Sequence, residues 1–165
     1  MKKLFKGLYH ASFFVNDIEK SLEFYKACGF EPLFDLRVSP EEEPWNIFVR
    51  IDENQTIELQ PVHANHPFPA PEKPVYCDEG TFFHIALLTD DLDDAIKELK
   101  RRGVTTYSNP MKESVVHGIE EAFASPDGCM VAWIVDPDGN PIEIMEQTER
   151  SLQVKHDAAY RNVLS

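Results

Sequence analysis

Residues 10–30 and 84–104 of this 165-residue chain align at a constant offset of 74 positions, and each stretch opens on a histidine in an apolar run. His10 matches His84, Asp17 matches Asp91, Ile18 matches Leu92, Leu22 matches Ile96, Tyr25 matches Leu99 and Gly29 matches Gly103. Each half then closes on a strand-like run with a carboxylate at its centre: Ile57-Glu58-Leu59-Gln60 in the first, Ile142-Glu143-Ile144-Met145 in the second. Such a chain suits one domain, or two small modules sharing a core. The duplicated unit supplies two imidazoles and two carboxylates, a donor set for a metal ion.

The local patterns give both halves the same order of elements. Residues 8–15 are mainly apolar, aromatic or β-branched and read as a strand. Asp17 caps a helix in which Ile18, Leu22 and Tyr25 recur at helical spacing, and Gly29 stops it. Strands follow near 30–38, 45–52 and 55–61, so the order is β-α-β-β-β. A linker over 62–81 is stiffened by proline, with Pro67, Pro69, Pro71 and Pro74. The second half begins with a strand at 82–89 and a helix at 91–102, capped by Asp90 or Asp91 and stopped by Gly103. A short strand near 104–107 and strands near 129–136 and 141–147 complete it, the last two joined by the turn Asp136-Pro-Asp-Gly-Asn140. The remaining strand has no clear place in 111–127, which reads as a long loop. The expected divisions are residues 1–61 and 82–147 as modules, 62–81 as linker and 148–165 as a tail, helical or an ordered arm.

Composition excludes several classes of function. The net charge of −13, from 16 basic and 29 acidic side chains, repels phosphate backbones, so no nucleic-acid partner is expected. Lys97, Lys100, Arg101 and Arg102 form the dense basic cluster, but they fall in the last turns of a helix, where cations complement the dipole. Cys28, Cys77 and Cys129 have no metal-type spacing, and an odd count argues against a disulfide framework. No apolar run has signal-peptide or membrane-span length, so a cytoplasmic protein with no membrane partner is expected.

Strand parity groups the candidate ligands. Residues two apart share a strand face. His10 therefore lies with Leu8, Ser12 and Phe14, opposite Tyr9, Ala11, Phe13 and Val15. Glu58 lies with Thr56 and Gln60, opposite Ile57 and Leu59. His84 shares a face with Phe82 and Ala86, and Glu143 with Met145. Each strand has one nearly apolar face, suited to lying under a helix, and one mixed face that carries the His or Glu. Four ionisable groups at strand centres are costly to bury unless paired. A divalent cation satisfies them together.

These residues resemble the vicinal oxygen chelate superfamily, which includes glyoxalase I, methylmalonyl-CoA epimerase, fosfomycin-resistance proteins and extradiol dioxygenases. The resemblance covers about residues 8–147. It is carried most specifically by Asp17-Ile-Glu-Lys-Ser-Leu-Glu-Phe-Tyr25 with Gly29-Phe30, and by Asp136-Pro-Asp-Gly-Asn-Pro-Ile-Glu143. It implies an α+β fold of two βαβββ modules, at about 8–61 and 82–147, whose curved sheets form a cup around one divalent metal ion (Ni, Zn, Co, Mn or Fe). It also implies metal ligands on the first and last strand of each module: His10, Glu58, His84 and Glu143.

Within the superfamily this ligand set is most similar to that of bacterial-type glyoxalase I. Extradiol dioxygenases use two His and one Glu, and epimerases of the methylmalonyl-CoA type usually place Gln where this chain has Glu58. The implied activity is a metal-dependent lyase or isomerase that moves a proton next to a carbonyl, through an enediolate stabilised by the cation. Glu143 would act as base with Glu58 as its counterpart, on a small-molecule substrate bearing vicinal oxygens. The alternatives are an epimerase of a sugar-derived or acyl-CoA substrate, an extradiol dioxygenase, and an antibiotic-binding resistance protein. Members often build the cup from two chains, so a homodimer is expected. Two departures bear on the substrate: Phe14 and Val62 stand where glyoxalase I has the Arg and Asn that hold glutathione. They argue against a glutathione hemithioacetal while leaving the chemistry in place.

The remaining candidates are read as structural. His63 and His66 fall in the linker and His117 in the long loop, where a surface place is expected ahead of the alternatives, a lining of the cup mouth for the first two and a lid contacting substrate for the third; His156, in the tail, is read as unrelated to the site. Trp45, Phe48, Phe123 and Trp133 are aromatic core by default, or the walls of an apolar pocket.

Overall fold

A computed structural model describes residues 10–53, 55–62, 64 and 84–156. Leu8, Tyr9, His63, His66, Cys77, Phe82, Phe83, Tyr160, Leu164 and nearly all of the proline-rich linker lie outside the described residues. The chain divides into two compact units, Met1–Glu79 and Gly80–Ser165. Each unit holds a mixed four-stranded sheet, as the α+β reading of two βαβββ modules requires.

In the first unit the elements are β1 (His10–Val15), α1 (Ile18–Ala27), β2 (Glu31–Leu36), β3 (Asn46–Asp52) and β4 (Gln55–Pro61). The spatial order β1-β4-β3-β2 makes β1 and β4 parallel neighbours, which joins the first and last strand of the unit. Asp17 accepts the Lys20 N–H at 3.1 Å and fixes the start of α1. Tyr25, Phe13, Val15, Val49, Ile57 and Leu59 are all buried. The five strand residues lie on the face opposite Glu58, and α1, which carries Tyr25, covers that face. Burying one such side chain contributes about 1.5–3 kcal/mol, so the helix side carries the unit's cohesion and frees the other face for polar groups.

The second unit repeats the design with β5 (Ile85–Thr89), α2 (Leu92–Arg101), β6 (Phe123–Ala124), β7 (Met130–Val135) and β8 (Pro141–Glu146), in the order β5-β8-β7-β6. Asp91, rather than Asp90, caps α2 by accepting the Asp94 N–H at 2.8 Å. The Glu146 carboxylate accepts the Leu92 N–H at 2.7 Å, so α2 lies on the side of β8 that bears Ile142, Ile144 and Glu146. The buried Asp136 carboxylate accepts the N–H groups of Asp138 and Asn140 and the Asn140 amide, at 2.8–2.9 Å, and so folds the β7–β8 turn.

Two expected strands differ from the structure. Residues 104–107 form no strand; Tyr107 instead makes isolated bridges to Val115 and Trp133. The strand sought in 111–127 is the two-residue β6, preceded by a 3-10 turn at Ile119–Glu121. Pro110 cannot donate to a ladder, and Asn109 folds the chain on itself by accepting the N–H groups of Met111 and Glu113, so the edge of this sheet is short. The tail contributes α3 (Leu152–His156). Among the described residues no helix is long and apolar enough to cross a membrane.

Candidate functional site

His10 opens β1, and Glu58 sits on β4 in register with Ser12. The His10 Nε2 lies 3.6 Å from Glu58 Oε1. In the second unit His84 immediately precedes β5, and Glu143 on β8 is in register with Ala86. There the His84 Nε2 lies 3.3 Å from Glu143 Oε2. The parallel pairing of first and last strand therefore does the same thing twice: it sets one imidazole beside one carboxylate.

These separations distinguish two chemistries. A charge-assisted N–H···O bond would close to about 2.7–2.9 Å. Two ligands bound about 2.0–2.2 Å from one cation, at ordinary coordination angles, stand roughly 3.0–3.5 Å apart. Both pairs fall at or just beyond the second range, and neutral imidazole with carboxylate suits divalent transition metals. The donor set fits a metal ion. The glutamate side chains are 11% and 15% exposed and the histidines 33% and 29%, so each pair is rooted in the sheet with its imidazole open to a ligand. Within its own unit, neither pair is joined by a third His, Cys, Asp or Glu among the described residues.

Each imidazole also meets an aromatic ring from the strand on the far side of its glutamate's strand. Phe48, in register with Glu58, stands edge-on to His10 with centroids 5.7 Å apart. Trp133, in register with Glu143, stands edge-on to His84 at 4.9 Å. Of the four aromatic residues singled out in the sequence, these two line the ligand face. Phe123 shares that face but is 51% exposed, and Trp45 donates its backbone N–H to Leu36.

Beyond the pairs the two faces differ. On the first, Gln60 Nε2 donates to Glu58 Oε2 at 3.2 Å and to Ser12 Oγ at 2.8 Å. The buried Asn46 shares this face through Phe48, and its side-chain oxygen has no hydrogen-bond partner among the described residues. On the second face Cys129, Val131, Trp133, Tyr107 and Met145 form an apolar cluster. Burial pushes the Glu143 carboxyl above the usual carboxylate range, against the opposing pull of His84. Gln60 and Asn46 were not singled out from the sequence. Parity alone placed Gln60 beside Glu58, but a polar residue there reads equally well as solvent-facing.

The other histidines stand apart. His117 is exposed, with Nδ1 3.4 Å from Lys100 Nζ on α2, on the helix side of the sheet and away from Glu143. His156 ends α3, and its side chain lies outside the described residues. Three members of the basic cluster are paired with carboxylates of α2: Lys97 with Asp93, and Arg101 and Arg102 both with Glu98.

The profile of the glyoxalase/bleomycin resistance protein/dioxygenase superfamily matches residues 7–144. The chain belongs to this superfamily. A lactoylglutathione lyase of Neisseria meningitidis is 28% identical over 155 residues, covering 92% of this chain and 99% of that protein. A solved member of the superfamily from Sphaerobacter thermophilus is 25% identical with a TM-score of 0.59, over 88% of this chain and all of that one. An antibiotic binding protein from Streptomyces shares the fold at 23% identity and a TM-score of 0.61, over 89% of this chain and all of the other. The matched region takes in the two His/Glu pairs and both aromatic rings that meet them.

Proposed function

We propose that this superfamily member is a metal-dependent lyase or isomerase that transfers a proton next to a carbonyl, with His10, Glu58, His84 and Glu143 as ligands of one divalent ion (Ni, Zn, Co, Mn or Fe). The observation that carries the reading is the recurrence of a His–Glu pair, at 3.6 and 3.3 Å, in the same place in both units. The second half of the ligand set comes from the same chain or from a second copy in a homodimer. When bound, such an ion supplies Lewis acidity to vicinal oxygens of the substrate.

The chain's own residues do the rest. Glu143 is the general base: it takes the proton from the carbon beside the carbonyl and returns it to the neighbouring carbon. Its burial suits the role, because a carboxylate with few competing partners is a stronger base. Trp133 and Phe48 hold the imidazoles edge-on and keep water from the reacting carbon. Phe14 and Val62, both half-buried, offer no charge or amide for a glutathione arm. The substrate class is a small 2-oxo or 2-hydroxy carbonyl compound. Similarity to proteins named lactoylglutathione lyase supports the reaction type.

The test is solvent-deuterium exchange and turnover on a panel of 2-hydroxycarbonyl compounds and thiol hemithioacetals, using protein loaded with each metal. Glu143→Gln should bind metal yet lose about 10²–10⁴-fold in rate, the usual worth of a general base. Full turnover by Glu143→Gln would contradict the assignment.

A further inference from the structure

The two carboxylates at equivalent places are not held alike. One oxygen of Glu58 faces His10, and the other accepts from Gln60 Nε2 at 3.2 Å. Gln60 is itself anchored, donating to Ser12 Oγ at 2.8 Å. Only the NH₂ end of an amide can face a carboxylate, so the side chain has one admissible orientation. In the second unit the residue two beyond the glutamate is Met145, and the counterpart of Ser12 is Ala86. Neither can donate a hydrogen bond to a carboxylate. Among the described residues, Glu143 has His84 as its side-chain partner and no amide clamp.

We infer that Gln60 is a positioning residue that pins Glu58 as the fixed carboxylate and leaves Glu143 as the one free to move. This rests on the metal-site reading above and deepens it. A carboxylate with one oxygen clamped by an anchored amide presents the other in a constant direction, as a ligand should. A carboxylate without such a clamp can swing toward substrate and back. With one mobile base, protons are taken and returned on one side of the reacting carbon. That geometry suits an isomerase acting from a single face and does not suit an epimerase, which needs a working base on each face.

The test is calorimetric titration of the intact chain with Co²⁺, with the visible spectrum of the bound ion as a second readout and the melting temperature of the metal-free protein as the folding control. Gln60→Met, which copies Met145, should weaken Co²⁺ binding about 10- to 100-fold, the usual cost of losing a group that orients a metal ligand. It should shift the spectrum while leaving the metal-free melting temperature unchanged. Gln55→Met, the same exchange at an exposed position of β4, should change neither. Glu58→Gln should lose more affinity than Glu143→Gln.

Wild-type binding matched by Gln60→Met, in affinity and spectrum, would overturn the role of Gln60 and leave the metal site standing. Equal losses in the two Glu→Gln variants, or a larger one at Glu143, would overturn the division between fixed and mobile carboxylate. Absence of Co²⁺ binding by the wild type would remove both readings. If Gln60→Met fails to fold, Ser12→Ala removes only the anchor of Gln60; it should weaken binding by a smaller factor, and unchanged binding there overturns the inference.

Discussion

The indole of Trp133 stands edge-on to the imidazole of His84, with planes at 82° and centroids 4.9 Å apart. Trp133 is 7% exposed and in register with Glu143, so one strand position both walls the site and fills the core. Two consequences follow. Trp133→Ala should destabilise the chain by about 3–5 kcal/mol, the range for emptying an aromatic site, read as a lower urea midpoint. In Trp45→Phe, where Trp133 is the remaining tryptophan, bound Co²⁺ should quench the emission. Emission indifferent to bound Co²⁺ would separate Trp133 from the metal.

Gly128 and Gly103 both have positive φ, +89° and +84°, but their surroundings differ. A Cβ on Gly128 would fall 2.4 Å from the Arg150 carbonyl oxygen, whereas one on Gly103 meets nothing within 4 Å. Gly103→Ala should cost only the left-handed backbone penalty of about 1–2 kcal/mol. Gly128→Ala should cost clearly more, because backbone of the 148–151 segment must move. Equal losses in urea unfolding would refute the close approach.

Glu98 accepts hydrogen bonds from Arg101 and Arg102, which lower its carboxyl from 4.5 to about 2. A depressed carboxylate adds stability that is fully present above the unfolded value and is lost as pH falls through the folded one. The melting-temperature deficit of Glu98→Gln should therefore be constant at neutral pH, shrink below about 4.5 and vanish near 2. The same deficit at pH 7 and pH 2 would contradict the pairing. Salt should reduce it, since the groups are exposed.

Much of this architecture is readable from side-chain periodicity. The apolar sets Phe13/Val15 and Ile57/Leu59 fix which way β1 and β4 face, and that alone turns His10 and Glu58 to the other side together. Asp17 and Asp91 mark both helix starts because each must cap an N-terminus. The edge of the second sheet was illegible for a physical reason. Tyr107 is held by hydrogen bonds to Trp133, 26 residues away in sequence, and β6 is two residues long, so neither leaves a local pattern. Gln60 illustrates another limit. Its parity was plain, but its bond to Ser12 spans 48 residues and exists only once β1 lies beside β4.

The most direct measurement is the metal content of the purified chain after dialysis against Ni²⁺, Zn²⁺ or Co²⁺. One tightly held ion per chain is expected for the wild type, with loss of at least tenfold in affinity in both His10→Ala and His84→Ala, because the proposed site takes half its ligands from each unit. Wild-type protein that retains no ion, or a His10→Ala/His84→Ala double variant that retains it undiminished, would contradict the account.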